Sequence, residues 1–134
     1  MQIPLIICSI VSGIILFQSV LIAPAINKLI DQKQASTLLR YLWPKFFLTI
    51  SSLSAISFVL SFIIRTDQIV IKYSSGLSFV LMSINYFIIP IINNAKDSLK
   101  NQLWSNLHIT TVILTLITLI LSMSTIFLTM SDIF

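Results

Sequence analysis

Four long stretches of this chain carry no charged side chain, and the ionic residues gather in the gaps between them. No charge precedes Lys28, and none lies in residues 46–64, 73–95 or 101–131. A helix needs about 20 mostly apolar residues to cross a hydrocarbon core of about 30 Å. Residues 3–26, 46–64, 73–92 and 109–130 meet that length, so the pattern predicts four transmembrane spans. Helices are expected because backbone amides find no water to bond inside a bilayer. A β-barrel would need short strands of alternating polarity, which uninterrupted runs such as residues 3–8 and 118–121 do not offer. The expected fold is therefore all-α: an integral membrane four-helix bundle of two helical hairpins, forming a single domain over residues 1–134. The first span has no basic residue ahead of it and is longer than the apolar core of a signal peptide. Ala23-Pro24-Ala25 resembles a cleavage site only loosely, so an uncleaved anchor is expected.

Composition agrees with this pattern. Apolar residues make up 57% of the chain and charged residues 9%, against about 25% charged in soluble domains. So few charges would not cover a water-facing surface. The formal charge of +4 comes from basic residues scattered through short loops, which argues against nucleic acid and for membrane orientation. Lys28, Lys33, Arg40 and Lys45 precede the second span, and Lys96 and Lys100 precede the fourth. Only Arg65 and Lys72 lie on the other side. The positive-inside rule then expects loops one and three in the cytoplasm and both termini outside, in a bacterial inner or plasma membrane. Tyr41, Trp43 and Trp104 stand where an interfacial aromatic belt is expected.

The first loop is itself patterned. Ala35, Leu38, Leu39, Leu42 and Phe46 recur at helical spacing, with Lys33, Gln34, Thr37 and Arg40 opposite. This predicts a short amphipathic helix on the membrane surface, closed by Pro44. Asp97 or Ser98 is expected to cap the fourth helix early, placing Leu99, Leu103 and Leu107 on one face. Pro24-x-x-Asn27 and Pro90-x-x-Asn93 fall at the ends of spans one and three, each followed by a basic loop with a tryptophan and a hydroxyl-rich span. This is the signature of a parallel repeat, with Pro24 and Pro90 expected as helix-end kinks.

Certain residues also carry a family likeness. Gln18 through Pro24, the stretch 35–47 with Arg40 and Trp43-Pro44, Asn85 and Pro90, and Leu107-His108 followed by Thr110-Thr111 resemble the transmembrane-protein-205-like group, also called domain of unknown function 4149. The family's first helix is usually richer in glycine, and Thr111 stands where serine is more usual. The resemblance implies a compact four-helix membrane protein and brings no activity, cofactor or catalytic residue with it.

Polar residues within the spans are the candidates for function. His108, Thr111, Thr115, Thr118, Ser122, Thr125 and Thr129 form a seam along the fourth span. Ser9, Ser12, Ser19 and Ala23 follow a similar register in the first, and Ser51, Ser54, Ser57 and Ser61 in the second. Small hydroxyl residues let membrane helices approach closely and bond across the contact, so the seams are expected to meet at the bundle centre. The rival expectation is that they line a polar path. Gln18 and Asn85 should point inward, because an amide facing lipid loses its hydrogen bonds. Interhelical clasps are the first reading of this pair, and ligands of a solute or ion the second.

His108 is the one histidine. Its imidazole titrates near neutrality, yet with no carboxylate, cysteine or second histidine nearby it makes a poor metal site. It also cannot give bis-histidine haem ligation within one chain. Cys8, alone, is expected to be an apolar core residue. Asp31, Asp67, Asp97 and Asp132 all lie in loops or tails, and Gly13 and Gly76 are isolated. No acid/base pair, nucleophile triad or phosphate loop can be assembled. The sequence therefore points to a non-enzymatic accessory or assembly subunit with no cofactor or metal, partnered by lipid and by further copies or other membrane subunits. A small-solute transporter or channel using Gln18, Asn85 and the helix-four seam is the alternative. A membrane enzyme centred on His108 comes third.

Overall fold

The computed structural model describes residues 3–64 and 68–133. Arg65 and Asp67, which enter the charge argument above, lie outside the described residues. The first span comprises α1 (Ile3–Phe17), a π-helical segment (Gln18–Ile22) and α2 (Ala23–Leu29). The others are α3 (Gln32–Ile63), α4 (Ile69–Asp97) and α5 (Asn101–Ile133). All four helical spans are long and apolar enough to cross a membrane, as the sequence leads one to expect. The helices run past the apolar stretches at most ends, since a helix need not stop where the lipid does.

Neighbours in the bundle follow the chain. α3 packs on α4 and α4 on α5, while α1 closes the ring against both α5 and α3. Ile7, Val11, Ile15, Phe47, Ile50, Met82 and Ile89 fill the middle. Large apolar side chains such as Phe17, Val20, Ile63, Phe87 and Phe127 stand more than half exposed on the outside. In water that surface would be untenable for a monomer; in a bilayer it is the lipid face.

Three local expectations are corrected. The amphipathic stretch before the second span is not a separate helix closed by Pro44. It forms the first turns of α3, which runs unbroken through Pro44. Asp31 starts it as N-cap, its Oδ1 accepting from the Gln34 N–H at 2.8 Å. A proline inside a membrane helix removes one backbone bond, a loss that neighbouring groups commonly offset. The amphipathic face persists, but Ala35 is buried and Leu38, Leu39 and Leu42 are half-buried against the bundle.

Second, neither Asp97 nor Ser98 caps the fourth helix. Asp97 ends α4 and Ser98 is its C-cap. Leu99 follows in the left-handed region at φ 59°. The Lys100 N–H donates to the Ala95 carbonyl at 2.9 Å and the Leu99 N–H to the Lys96 carbonyl at 3.2 Å, the paired bonds of a Schellman turn. Glycine suits that position because a Cβ there costs about 1–2 kcal/mol. Leu99 is 81% exposed and contributes little packing in return. Leu99→Gly should therefore raise stability by about 0.5–1 kcal/mol, read as a higher unfolding midpoint in detergent; an unchanged or lower midpoint contradicts the turn.

Third, the prolines do not close their spans. Pro90 lies inside α4. Pro24 sits in the first turn of α2, directly after the π segment. The two Pro-x-x-Asn sequences thus adopt different backbones, one after a π turn and one in continuous α-helix. The loop-one and loop-three ends are clasped together by Arg40, whose two terminal nitrogens reach the Asp97 oxygens at 3.1 and 2.5 Å. This guanidinium holds the Asp97 carboxyl below the usual carboxylate range.

Candidate functional site

The π segment borders a large recess that holds most of the polar candidates. α1 packs closely on α5, but beyond Phe17 neither the π segment nor α2 approaches α5 at packing distance. A π turn takes an extra residue, so it shifts the face that the following helix presents. A cleft of about 470 Å³ opens where the first span leaves α5, with α3 as its floor. Gln18, Ser19 and Asn27 line one wall, His108, Val112, Thr115 and Leu116 the other, and Leu39, Trp43 and Phe46 the floor. A smaller recess of about 80 Å³ continues from it, lined by Arg40, Asn93, Lys96, His108 and Thr111 among others. Asn27 and Asn93, the paired asparagines of the two Pro-x-x-Asn sequences, thus face adjoining spaces at the same end of the bundle.

His108 stands between the two recesses, half-buried. Its ring stacks on Trp104, with centroids 5.4 Å apart and planes 5° from parallel. Trp43 meets it edge-on at 5.8 Å. The Lys96 ammonium lies 5.4 Å from the Trp104 centroid, within cation–π range. Trp43 and Trp104, the tryptophans of the expected interfacial belt, are half-buried and line the cleft. Tyr41 does lie outward, 62% exposed, with the Lys45 ammonium 3.5 Å above its ring.

Of the five sequence candidates, Gln18, His108 and Thr115 share the larger cleft, and Thr111 borders the smaller recess. Asn85 lies behind this wall, fully buried. Its Nδ2 donates to the Thr111 carbonyl at 3.3 Å and to Thr115 Oγ1 at 3.2 Å. Asn85 is thus an α4–α5 clasp, whereas Gln18 is not its partner. Thr115 spends its own proton on the Thr111 carbonyl at 2.7 Å, so it offers the cleft an acceptor and no donor.

Along α5 the polar seam closes on itself. Thr111, Thr118 and Thr125 donate to carbonyls three or four residues back on α5, at 2.7, 3.0 and 2.8 Å. Besides those of Asn85, bonds across helices come from a serine face on α4 that the sequence pattern of the other spans does not include. Ser83 pairs with Ser51 and Ser75 with Ser57, each at 2.9 Å, and Ser74 donates to the Leu121 carbonyl at 3.2 Å. The signal was present: Ser75, Ser78, Met82 and Asn85 recur at steps of three and four, and all are buried. Ser9 was placed on the inward seam of the first span. It is exposed instead, its hydroxyl donating to the Leu5 carbonyl at 3.0 Å. Among the described residues, no three His, Cys, Asp or Glu side chains converge as metal ligands.

Comparison with curated proteins and with solved structures gives no match. A family model does match, over residues 6–101, which takes in the first three spans, the cleft floor and the α4–α5 turn. The chain accordingly belongs to the family described as domain of unknown function (DUF4149).

Proposed function

We propose that this chain is a non-enzymatic accessory subunit of its membrane, a bundle that acts by holding other molecules. The observation that carries this reading is the character of its polar interior. The serine pairs between α3 and α4, with the threonines bonded back onto α5, spend their hydroxyls on structure. Ile15, Phe47 and Met82, each at most 1% exposed, fill the span between the cleft and the opposite end. A solute path through the centre is supported less well, because it would have to displace that packing. With loops one and three carrying most of the basic residues, the cleft opens at the cytoplasmic side.

A small bundle working by association should be found associated. Crosslinking in native membranes, followed by blue-native electrophoresis in mild detergent, is expected to show a species well above the 15.1 kDa monomer. Recovery of the monomer alone, with no crosslinked partner, would contradict the accessory role.

A further inference from the structure

We propose that the cleft between α2 and α5 binds a membrane lipid with an anionic headgroup. The headgroup sits against Lys96 and His108, and an acyl chain lies along Leu39, Phe46 and Leu116.

The walls of the cleft argue for a lipid. Val112 and Leu116 are 41% and 51% exposed, and both stand on the side where the first span has parted from α5. The space therefore opens sideways, toward the bilayer, along an apolar wall. Its inner end is polar and sits at the level of the two tryptophans, where headgroups begin. An apolar channel ending in donors at headgroup depth matches an amphiphile in shape and polarity. Beyond Gln18, Ser19, Asn27 and Thr115, its α3 floor and α5 wall are mostly apolar and give an acyl chain a surface to lie on.

Charge decides the headgroup. Lys28, Lys33, Arg40, Lys45, Lys96 and Lys100 cluster at this end, against Asp31 and Asp97. Asp97 is taken by Arg40, so the lysine lining the cleft keeps its charge uncompensated: among the described residues, Lys96 makes no ion pair. Among the described residues the His108 ring makes no hydrogen bond, and its one N–H can donate to a phosphate oxygen. The two tryptophans beside His108 would also suit a quaternary ammonium. A cation would then have to enter beside Lys96 in a field already positive, so the anion is favoured. Basic pockets between membrane helices are recognised sites for acidic headgroups. The inference is independent of whether the bundle has a protein partner.

The test is lipid retention by the purified full chain, delipidated and then exposed to equimolar phosphatidylglycerol and phosphatidylcholine in mixed micelles. About fivefold preference for phosphatidylglycerol is expected, the effect of one well-placed lysine. Lys96→Gln should bring the ratio to parity. Lys45→Gln, which removes the same charge at the same end but outside the cleft, should leave the ratio unchanged. Leu116→Trp, at an outward position where the fold is insensitive, should lower retention of both lipids by filling the channel. Millimolar inorganic phosphate should displace nothing. The proposal fails if the two lipids are retained equally by the wild type. It fails if Lys45→Gln matches Lys96→Gln, which would mean surface charge alone, or if phosphate displaces the lipid. Retention unchanged by Leu116→Trp would also overturn it, even should Lys96→Gln fold poorly.

Discussion

Replacing Asn85 by aspartate is expected to cost the bundle about 3 kcal/mol, the usual scale for a carboxylate at mid-membrane. Leucine at the same position should cost less than about 1 kcal/mol. The asymmetry follows from what surrounds the amide. Asn85 is fully buried, and its Nδ2 faces two acceptors, the Thr111 carbonyl and Thr115 Oγ1. Aspartate turns that donor into an oxygen aimed at a carbonyl, and either ionises far from water or holds a proton against its ordinary pKa. Leucine forfeits the two bonds but also removes Oδ1, which has no partner among the described residues. Deleting an unsatisfied polar atom offsets part of the lost bonding. Unfolding in bicelles by titration with sodium dodecyl sulfate measures both variants against the wild type. Equal losses would mean that the Asn85 pocket is wet.

The second large effect is expected at Ser57. It is 1% exposed where three helices meet: its hydroxyl lies 2.9 Å from that of Ser75 on α4 and 3.5 Å from the Pro4 carbonyl on α1. Ser57→Ala removes two interhelical bonds, each worth about 0.6 kcal/mol on average in membrane proteins. Ser57→Leu drives a branched side chain into a contact that only small residues permit, at a cost of about 1–3 kcal/mol. At the next residue of each helix the approach is as close: a Cβ on Gly76 would stand 3.0 Å from the Phe58 ring. The same unfolding titration tests the pair, and a leucine variant as stable as the alanine one would show that α3 and α4 are not packed directly together here.

The spans were legible because lipid imposes one simple demand, and charge placement meets it along the whole chain. The helix-four seam was legible for a related reason. In α5 the buried residues Thr111, Thr118, Ser122, Thr125 and Thr129 keep an uninterrupted helical period. In the first span the period breaks. Buried positions run Pro4, Ile7, Cys8, Val11, Ser12 and Ile15, then stop at the π segment, where none is buried. A helical count continued through that turn places Ser19 in the bundle centre, whereas it is exposed and lines the cleft. The cleft itself was hidden for the same reason, since it exists only where the first span departs from the regular period. Gln18, His108 and Thr115 were identifiable as polar residues in apolar surroundings. That Trp43 and Trp104 turn inward to flank His108 depends on α3 starting at Gln32, after its Asp31 cap, and on the tight turn at Leu99, both of which set helix ends rather than apolar patterns.

The claim on which the rest depends is that water reaches the polar interior from one end only. Thiol accessibility in detergent-free vesicles tests it directly, in a Cys8→Ala background with a membrane-impermeant maleimide offered from each side. Ser36→Cys and His108→Cys, which line the cleft, should react from a single side. Ser57→Cys and Thr118→Cys, buried in the closed seams, should stay unlabelled from both. Labelling of Ser57→Cys and Thr118→Cys at rates matching Ser36→Cys would reveal a continuous aqueous path and contradict the account.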